Sequence, residues 1–241
     1  MSIAATITKR IENFSPGELF SYRDFKMPSA KIEAMAAALS RLASKGIIKR
    51  FEKGRYFKPE QGMFGEVPLE ENQILKSILK ENGSRIGYIT GAVAYNQMGL
   101  TTQIPNEYII AVYDLRKPLK KGRVKARFVK TYSEITESNI PLLQLLDAIK
   151  DIRIIPATGT NTALELIKGK LKRLSLSEQK KITQLALNYP PATKSLVGAI
   201  FELFGNNSAA DKLYKTLNPL SKYKLGIEEK NLPNKNKWKI E

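Results

Sequence analysis

The stretch Pro28–Lys58, PSAKIEAMAAALSRLASKGIIKRFEKGRYFK, constrains the fold more than any other part of the chain. Pro28 followed by Ser29 is a helix-start signal, with the serine hydroxyl available to cap free backbone N–H groups. Ile32, Met35, Ala36, Leu39, Leu42 and Ala43 then recur at three- and four-residue spacing, which predicts a helix with one apolar face. Gly46 ends it, because glycine enters the left-handed conformation of a helix C-cap at no steric cost. Residues 47–51 and 55–57 read as two strands joined at Lys53-Gly54, forming a hairpin with basic tip and edges. Helix, glycine stop and basic hairpin follow one another as do the recognition helix and wing of a winged helix-turn-helix domain. The stretch is therefore expected to bind DNA.

Upstream, Ile3, Ile7 and Ile11, with Ala4 and Phe14, predict a first amphipathic helix, broken by Ser15-Pro16-Gly17. Leu19-Phe20 is a short strand candidate, and Ser21 is placed to cap a brief helix over Tyr22–Phe25. These elements fill a winged-helix layout over residues 1–60. Packing of the apolar face inward leaves Ser29, Lys31, Glu33, Ala34, Ala37 and Arg41 outward. That suits entry into a major groove roughly 12 Å wide. Glu33 either accepts from a cytosine amino group or repels phosphate. Arg23, Lys49, Arg50, Lys53 and Arg55 are expected at backbone phosphates, with Ser21 beside them. The bland reading of the same residues is a winged helix that contacts protein and keeps a solvated basic face.

Charge supports the first reading. Lys and Arg number 40 against 23 Asp and Glu, a net +17, which favours a polyanionic partner. No apolar run approaches the roughly 20 residues that span a bilayer, and the first residues lack the order of a signal peptide. A cytoplasmic protein without a membrane partner is expected. The chain has no cysteine and no histidine, which excludes disulfides, thiolate chemistry, a Ser-His-Asp triad and any His- or Cys-ligated metal. No cofactor, metal or catalytic residue is expected.

Residues 59–65, rich in turn formers, mark the expected boundary to a second domain over 61–241. A helix over 70–81, closed by Asn82-Gly83, precedes a short helix with Thr90 as N-cap and Gly99 as C-stop. Tyr108–Tyr113 reads as a strand. The glycines at 83, 87, 91 and 99 lack Walker spacing and read as caps and close packing. Arg116–Lys130 holds eight cations and no acid. Within it Arg123, Lys125 and Arg127 alternate with Val124, Ala126 and Phe128, the pattern of a strand with one basic face. With Lys120 and Lys121 this face is a second nucleic-acid candidate or a solvated surface. Helices are expected over 140–150, 160–173, 177–188 (capped by Ser177), 192–204 and 209–217. Strands are expected at 152–155 and near Trp238 and Ile240. The expected fold class is α+β: an N-terminal winged helix-turn-helix, then a larger mixed domain with a small sheet and several helices.

Several motifs in order carry a resemblance. Lys45-Gly46-Ile47-Ile48 and Lys53-Gly54-Arg55-Tyr56-Phe57 precede Gly87-Tyr88-Ile89-Thr90-Gly91. Met98-Gly99-Leu100-Thr101-Thr102-Gln103-Ile104-Pro105 and Tyr189-Pro190-Pro191-Ala192-Thr193-Lys194-Ser195-Leu196-Val197-Gly198-Ala199-Ile200 follow. Together they resemble the AbiEi-type antitoxins of bacterial abortive-infection toxin–antitoxin systems, up to about Gly205. The resemblance implies a transcriptional autorepressor that binds inverted repeats in double-stranded DNA of its own promoter. It also implies an antitoxin domain that counters a nucleotidyltransferase-like toxin without a stable complex. Two other classes remain open. One is a metal-dependent nuclease built on Asp114 with Glu228-Glu229-Lys230; the other is a winged-helix regulator that senses a small ligand.

Overall fold

The computed structural model describes residues 3–81 and 84–241, and the chain divides into two units of mixed helix and strand. The first comprises Met1–Ser84 with Lys120–Val124; the second comprises Arg85–Leu119 with Lys125–Glu241.

In the first unit α1 (Ile3–Glu12) buries Ile7 and Ile11. The strand β1 (Leu19–Ser21) runs into a 3-10 turn over Tyr22–Phe25. Ser21 and Asp24 close a reciprocal capping box there, satisfying two otherwise orphaned donors. A second 3-10 turn, Ser29–Lys31, leads into α2 (Ile32–Ser44), where Lys31 occupies the cap position without a side-chain bond. The cap expected from Ser29 is thus displaced, because a tighter turn precedes the helix. At the other end Gly46 has φ 72°, and two bonds close the helix: Ile47 N–H to the Leu42 carbonyl at 3.1 Å and Gly46 N–H to that of Ala43 at 3.0 Å. This is the doubly bonded glycine stop expected from the sequence.

The strands β2 (Lys49–Glu52) and β3 (Arg55–Phe57) form an antiparallel hairpin, and β1 adds to it in the order β1-β3-β2. Beneath the sheet and the two helices lies a core of Ile7, Ile11, Phe20, Phe25, Met35, Ala38, Leu39, Ile48 and Tyr56. Phe14 stacks on Phe20 with ring centroids 4.5 Å apart. Ile32, expected on the buried face, is 45% exposed, and Ala38 takes the inward position instead. The helix rotates its first turn away from the core.

The turn-rich stretch read as a linker is a second antiparallel hairpin, β4 (Glu60–Gly62) and β5 (Gly65–Val67). It is followed by α3 (Glu71–Leu79), whose Ile74, Leu75, Ile78 and Leu79 are buried. The first unit therefore runs on to Ser84, past the boundary expected near residue 60, because the turn formers build a paired hairpin. The two-residue strands β6 (Lys80–Glu81) and β7 (Ser84–Arg85) follow, and the expected Asn82-Gly83 stop lies outside the described residues.

The second unit holds β8 (Gly87–Thr90), α4 (Ala92–Gln97) and β9 (Tyr108–Val112). β11 (Val124–Lys130) follows, preceded by β10 (Leu119–Lys121), whose Lys120 and Lys121 fall in the first unit; the strand order is β10-β11-β9-β8. β9 is antiparallel to β8 and parallel to β11. Gly91, not Thr90, caps α4: Thr90 stays in the strand and gives its hydroxyl to Asp147 at 2.7 Å. Gly99, at φ 70°, stops α4 as expected.

Then α5 (Ile140–Lys150), α6 (Thr160–Lys172), α7 (Leu176–Ala186), α8 (Pro191–Leu203) and α9 (Asn207–Tyr214) enclose the larger core. Residues 152–154, expected as strand, form a 3-10 turn that buries Ile152 and leaves Ile154 at the surface. The cap of α7 is Ser175 rather than Ser177, since Glu178 sits three residues on and completes a capping box. The tail makes one bridge, Tyr223 to Ile240, instead of a strand, and still buries Leu225, Ile227, Leu232, Trp238 and Ile240.

Candidate nucleic-acid interface

The amphipathic spacing of α2 turns Met35, Ala38 and Leu39 into the core, so Lys31, Glu33, Ala34, Ala37 and Arg41 are exposed along its opposite side. Small residues at 34 and 37 keep that side narrow between the longer cations. Arg41 folds back to the Ala37 carbonyl at 3.3 Å yet forms no ion pair among the described residues. Glu33 stands in the first turn, where a carboxylate also complements the helix dipole. Nothing is described of the Ser29 side chain.

The β2–β3 hairpin separates its cations into two kinds. Arg50 and Lys53 are exposed; Arg50 makes only a long bond, 3.4 Å, to the Glu52 carbonyl. Lys49 is half-exposed and paired with Glu66. Arg55 faces inward: its guanidinium donates to the Ser77 carbonyl and lies 3.3 Å from Glu52. Glu52 also holds Lys121, whose ammonium sits 4.2 Å from the centre of the Phe51 ring. Arg55 and Lys121 therefore brace the first unit, and are not free for phosphate as the sequence suggested. Ser21 is likewise occupied, donating to Asp24 at 2.9 Å while accepting from the Arg23 N–H at 3.3 Å. Arg23 itself is exposed. Hence Arg55→Ala is expected to destabilise the first unit by about 1 kcal/mol, since it removes a part-buried hydrogen bond to the Ser77 carbonyl and the partner of Glu52. The check is a lower urea midpoint in the absence of DNA.

In β11 the expected alternation holds residue by residue: Val124, Ala126 and Phe128 are buried while Lys125 and Arg127 are exposed. The cause is the period-two pleat of a strand with one face on the core. Arg127 pairs with Glu107 at 3.5 Å; Lys125 has no ion pair among the described residues, nor do Lys120 on β10 and Arg123 in the turn after it. The acids weighed for a metal site stay apart. Asp114 is exposed beyond β9, and Glu228 is bound by Lys230 and Asn161. Among the described residues, no group of three or more carboxylates is placed to share a metal ion. No described helix is long and apolar enough to cross a membrane.

Sequence reasoning missed one polar cluster. Asp147 is 5% exposed and accepts from Tyr88 at 2.8 Å, Thr90 at 2.7 Å and Tyr189 at 3.0 Å. The signal was an acid on the apolar side of the 140–150 helix, since a buried carboxylate needs donors.

The fold is similar to the crystal structure of RV2827C protein from Mycobacterium tuberculosis, with a TM-score of 0.50 at 12% identity, over 91% of this chain and 83% of that one. No curated protein matches the chain in sequence. Residues 6–185 match the sequence model of DUF6088, a family of unknown function, and the chain belongs to that family.

Proposed function

We propose that this chain is a DNA-binding transcriptional autorepressor of the winged helix-turn-helix type. In this reading α2 enters the major groove, the β2–β3 hairpin is the wing, and the operator is inverted repeats in the chain's own promoter. One observation carries the reading: the outward side of α2 is uncovered within its unit and lies on the same small fold as a hairpin with free cations. Lys31, Arg41, Arg50, Lys53 and Arg23 are the DNA-contacting cations. Lys125 and Arg127 on β11 are further candidate phosphate contacts in the second unit, and Lys120 on β10 and Arg123 after it are candidates in the first. The second unit acts as an antitoxin against a nucleotidyltransferase-like toxin, the role that the resemblance implies, with no stable complex.

The test follows from the free and engaged cations just described. Arg50→Ala with Lys53→Ala is expected to weaken binding to the chain's own upstream duplex without changing its urea midpoint. Each lost phosphate contact lowers the slope of log affinity against log salt by about 0.9, so the pair should lower it by about 1.8. Fluorescence anisotropy across a salt series measures this. Wild-type slope and affinity in the double variant would remove the wing from the DNA surface. Growth rescue on co-expression with the toxin tests the second role.

A further inference from the structure

The exposed side of α2 carries one acid that the helix itself leaves unused. Between Lys31 and Arg41, Glu33 is the only long polar side chain, and Ala34, Ala37 and Ser40 are exposed around it. Ala37, Ser40 and Ser44 follow Glu33 on the same side at helical spacing, so the acid heads a stripe of small residues. No bulky neighbour on that stripe stands between its carboxylate and whatever lies over the helix.

Two other first-turn acids are engaged. Asp24 and Glu178 each accept from the backbone N–H and the hydroxyl of the serine that caps their segment. Glu33 makes no hydrogen bond or ion pair among the described residues, because the cap position before α2 is Lys31, which has no hydroxyl to share. The helix dipole favours an acid in this turn but does not require it on the outward stripe. Against duplex DNA a free carboxylate there is repelled by phosphate unless a base edge supplies a donor. The major groove offers two amino donors, cytosine N4 and adenine N6. The N7 acceptor of adenine lies beside N6 and repels a carboxylate, whereas cytosine N4 has a C–H beside it. A recognition helix enters the groove by its N-terminal end, and Glu33 stands in the first turn of α2.

We propose that Glu33 is the specificity-determining residue of the operator contact, its carboxylate accepting from the N4 amino group of one cytosine in each half-site. This rests on the DNA-binding reading above and adds to it the base that is read.

Selection from duplexes randomised across the chain's own upstream region tests it, with the full-length wild type, Glu33→Ala and Glu33→Gln. The wild type is expected to keep a C·G pair at one position of each half-site. It should bind that pair at least about fivefold more tightly than any other there. Glu33→Ala should lose the preference at that position alone. Glu33→Gln should move it to adenine, since a glutamine amide donates to N7 and accepts from N6. Both variants should fold, because the side chain is exposed and bonds nothing among the described residues; circular dichroism checks this. An unchanged preference in both variants overturns the proposal. So does a Glu33→Ala chain that binds every duplex more tightly by one factor, which would place the carboxylate at phosphates. Sequence-specific binding that needs Arg50 and Lys53 but not Glu33 sinks this inference and leaves the DNA-binding reading standing. A wild type that selects no sequence sinks both.

Discussion

Asp147→Ala is expected to destabilise the second unit by about 3–5 kcal/mol, read as a lower urea midpoint at unchanged slope. The carboxylate is the common acceptor for three buried hydroxyls from two parts of the chain: Tyr88 and Thr90 on β8, and Tyr189 just before α8. Alanine leaves those donors buried without their acceptor. Burial pushes the Tyr88 and Tyr189 phenols upward, as does the neighbouring carboxyl, so both remain protonated donors. Burial also pushes the Asp147 carboxyl above its usual range, against the pull of the hydroxyls and of Lys150. A carboxyl raised in the folded state holds its proton more tightly there than in the unfolded chain. Its stabilising contribution is therefore full below about pH 3.9 and is lost as pH rises through the folded value. Asp147→Asn should flatten that part of the stability profile. A loss below about 1 kcal/mol in the alanine variant would show that the hydroxyls find other partners.

Trp238→Ala should cost about 3–5 kcal/mol, the range for truncating a buried aromatic side chain. Trp238 is 1% exposed and lies close enough to α8 that a Cβ at Gly198 would come within 2.2 Å of its ring. Its indole N–H donates to Glu202 at 2.8 Å, the Tyr214 ring meets it edge-on at 5.2 Å, and the Ser195 hydroxyl donates to its carbonyl. Glu202 also takes Lys237 and Asn234, so one carboxylate gathers three donors from the tail. Removing the indole leaves a cavity and loosens the whole segment from Tyr223 to Ile240. Circular dichroism is the suitable probe, because Trp238 is the only tryptophan. An unchanged midpoint would mean that the tail is held without its ring.

The local features were legible because their causes are local. Gly46 and Gly99 stop helices through a positive φ that the neighbouring residues leave to glycine. The alternation at 124–128 needs only the pleat of a strand. The capping serines show the limit of that legibility: Ser177 reads as a cap, but Glu178 is in register with Ser175. At the candidate interface, the exposed cations Lys31, Arg41, Arg50 and Lys53 were readable from periodicity and hairpin position. Arg55, Lys49 and Lys121 were not. Their partners Ser77, Glu66 and Glu52 are 17 to 69 residues away in the chain. Spacing within a hairpin carries no information about such a partner.

The sequence by itself determined that Gly46 and Gly99 stop their helices, which side of β11 and most of α2 faces water, and that the chain carries a large positive charge. These follow from backbone sterics, side-chain periodicity and composition, each settled within a few neighbouring residues. Only the tertiary structure decided which cations are neutralised, that residues 60–67 pair instead of linking, and that Asp147 and Trp238 anchor the larger core. Each of these depends on groups that folding brings together from distant parts of the chain, where burial and low polarity decide whether a donor or a charge is satisfied.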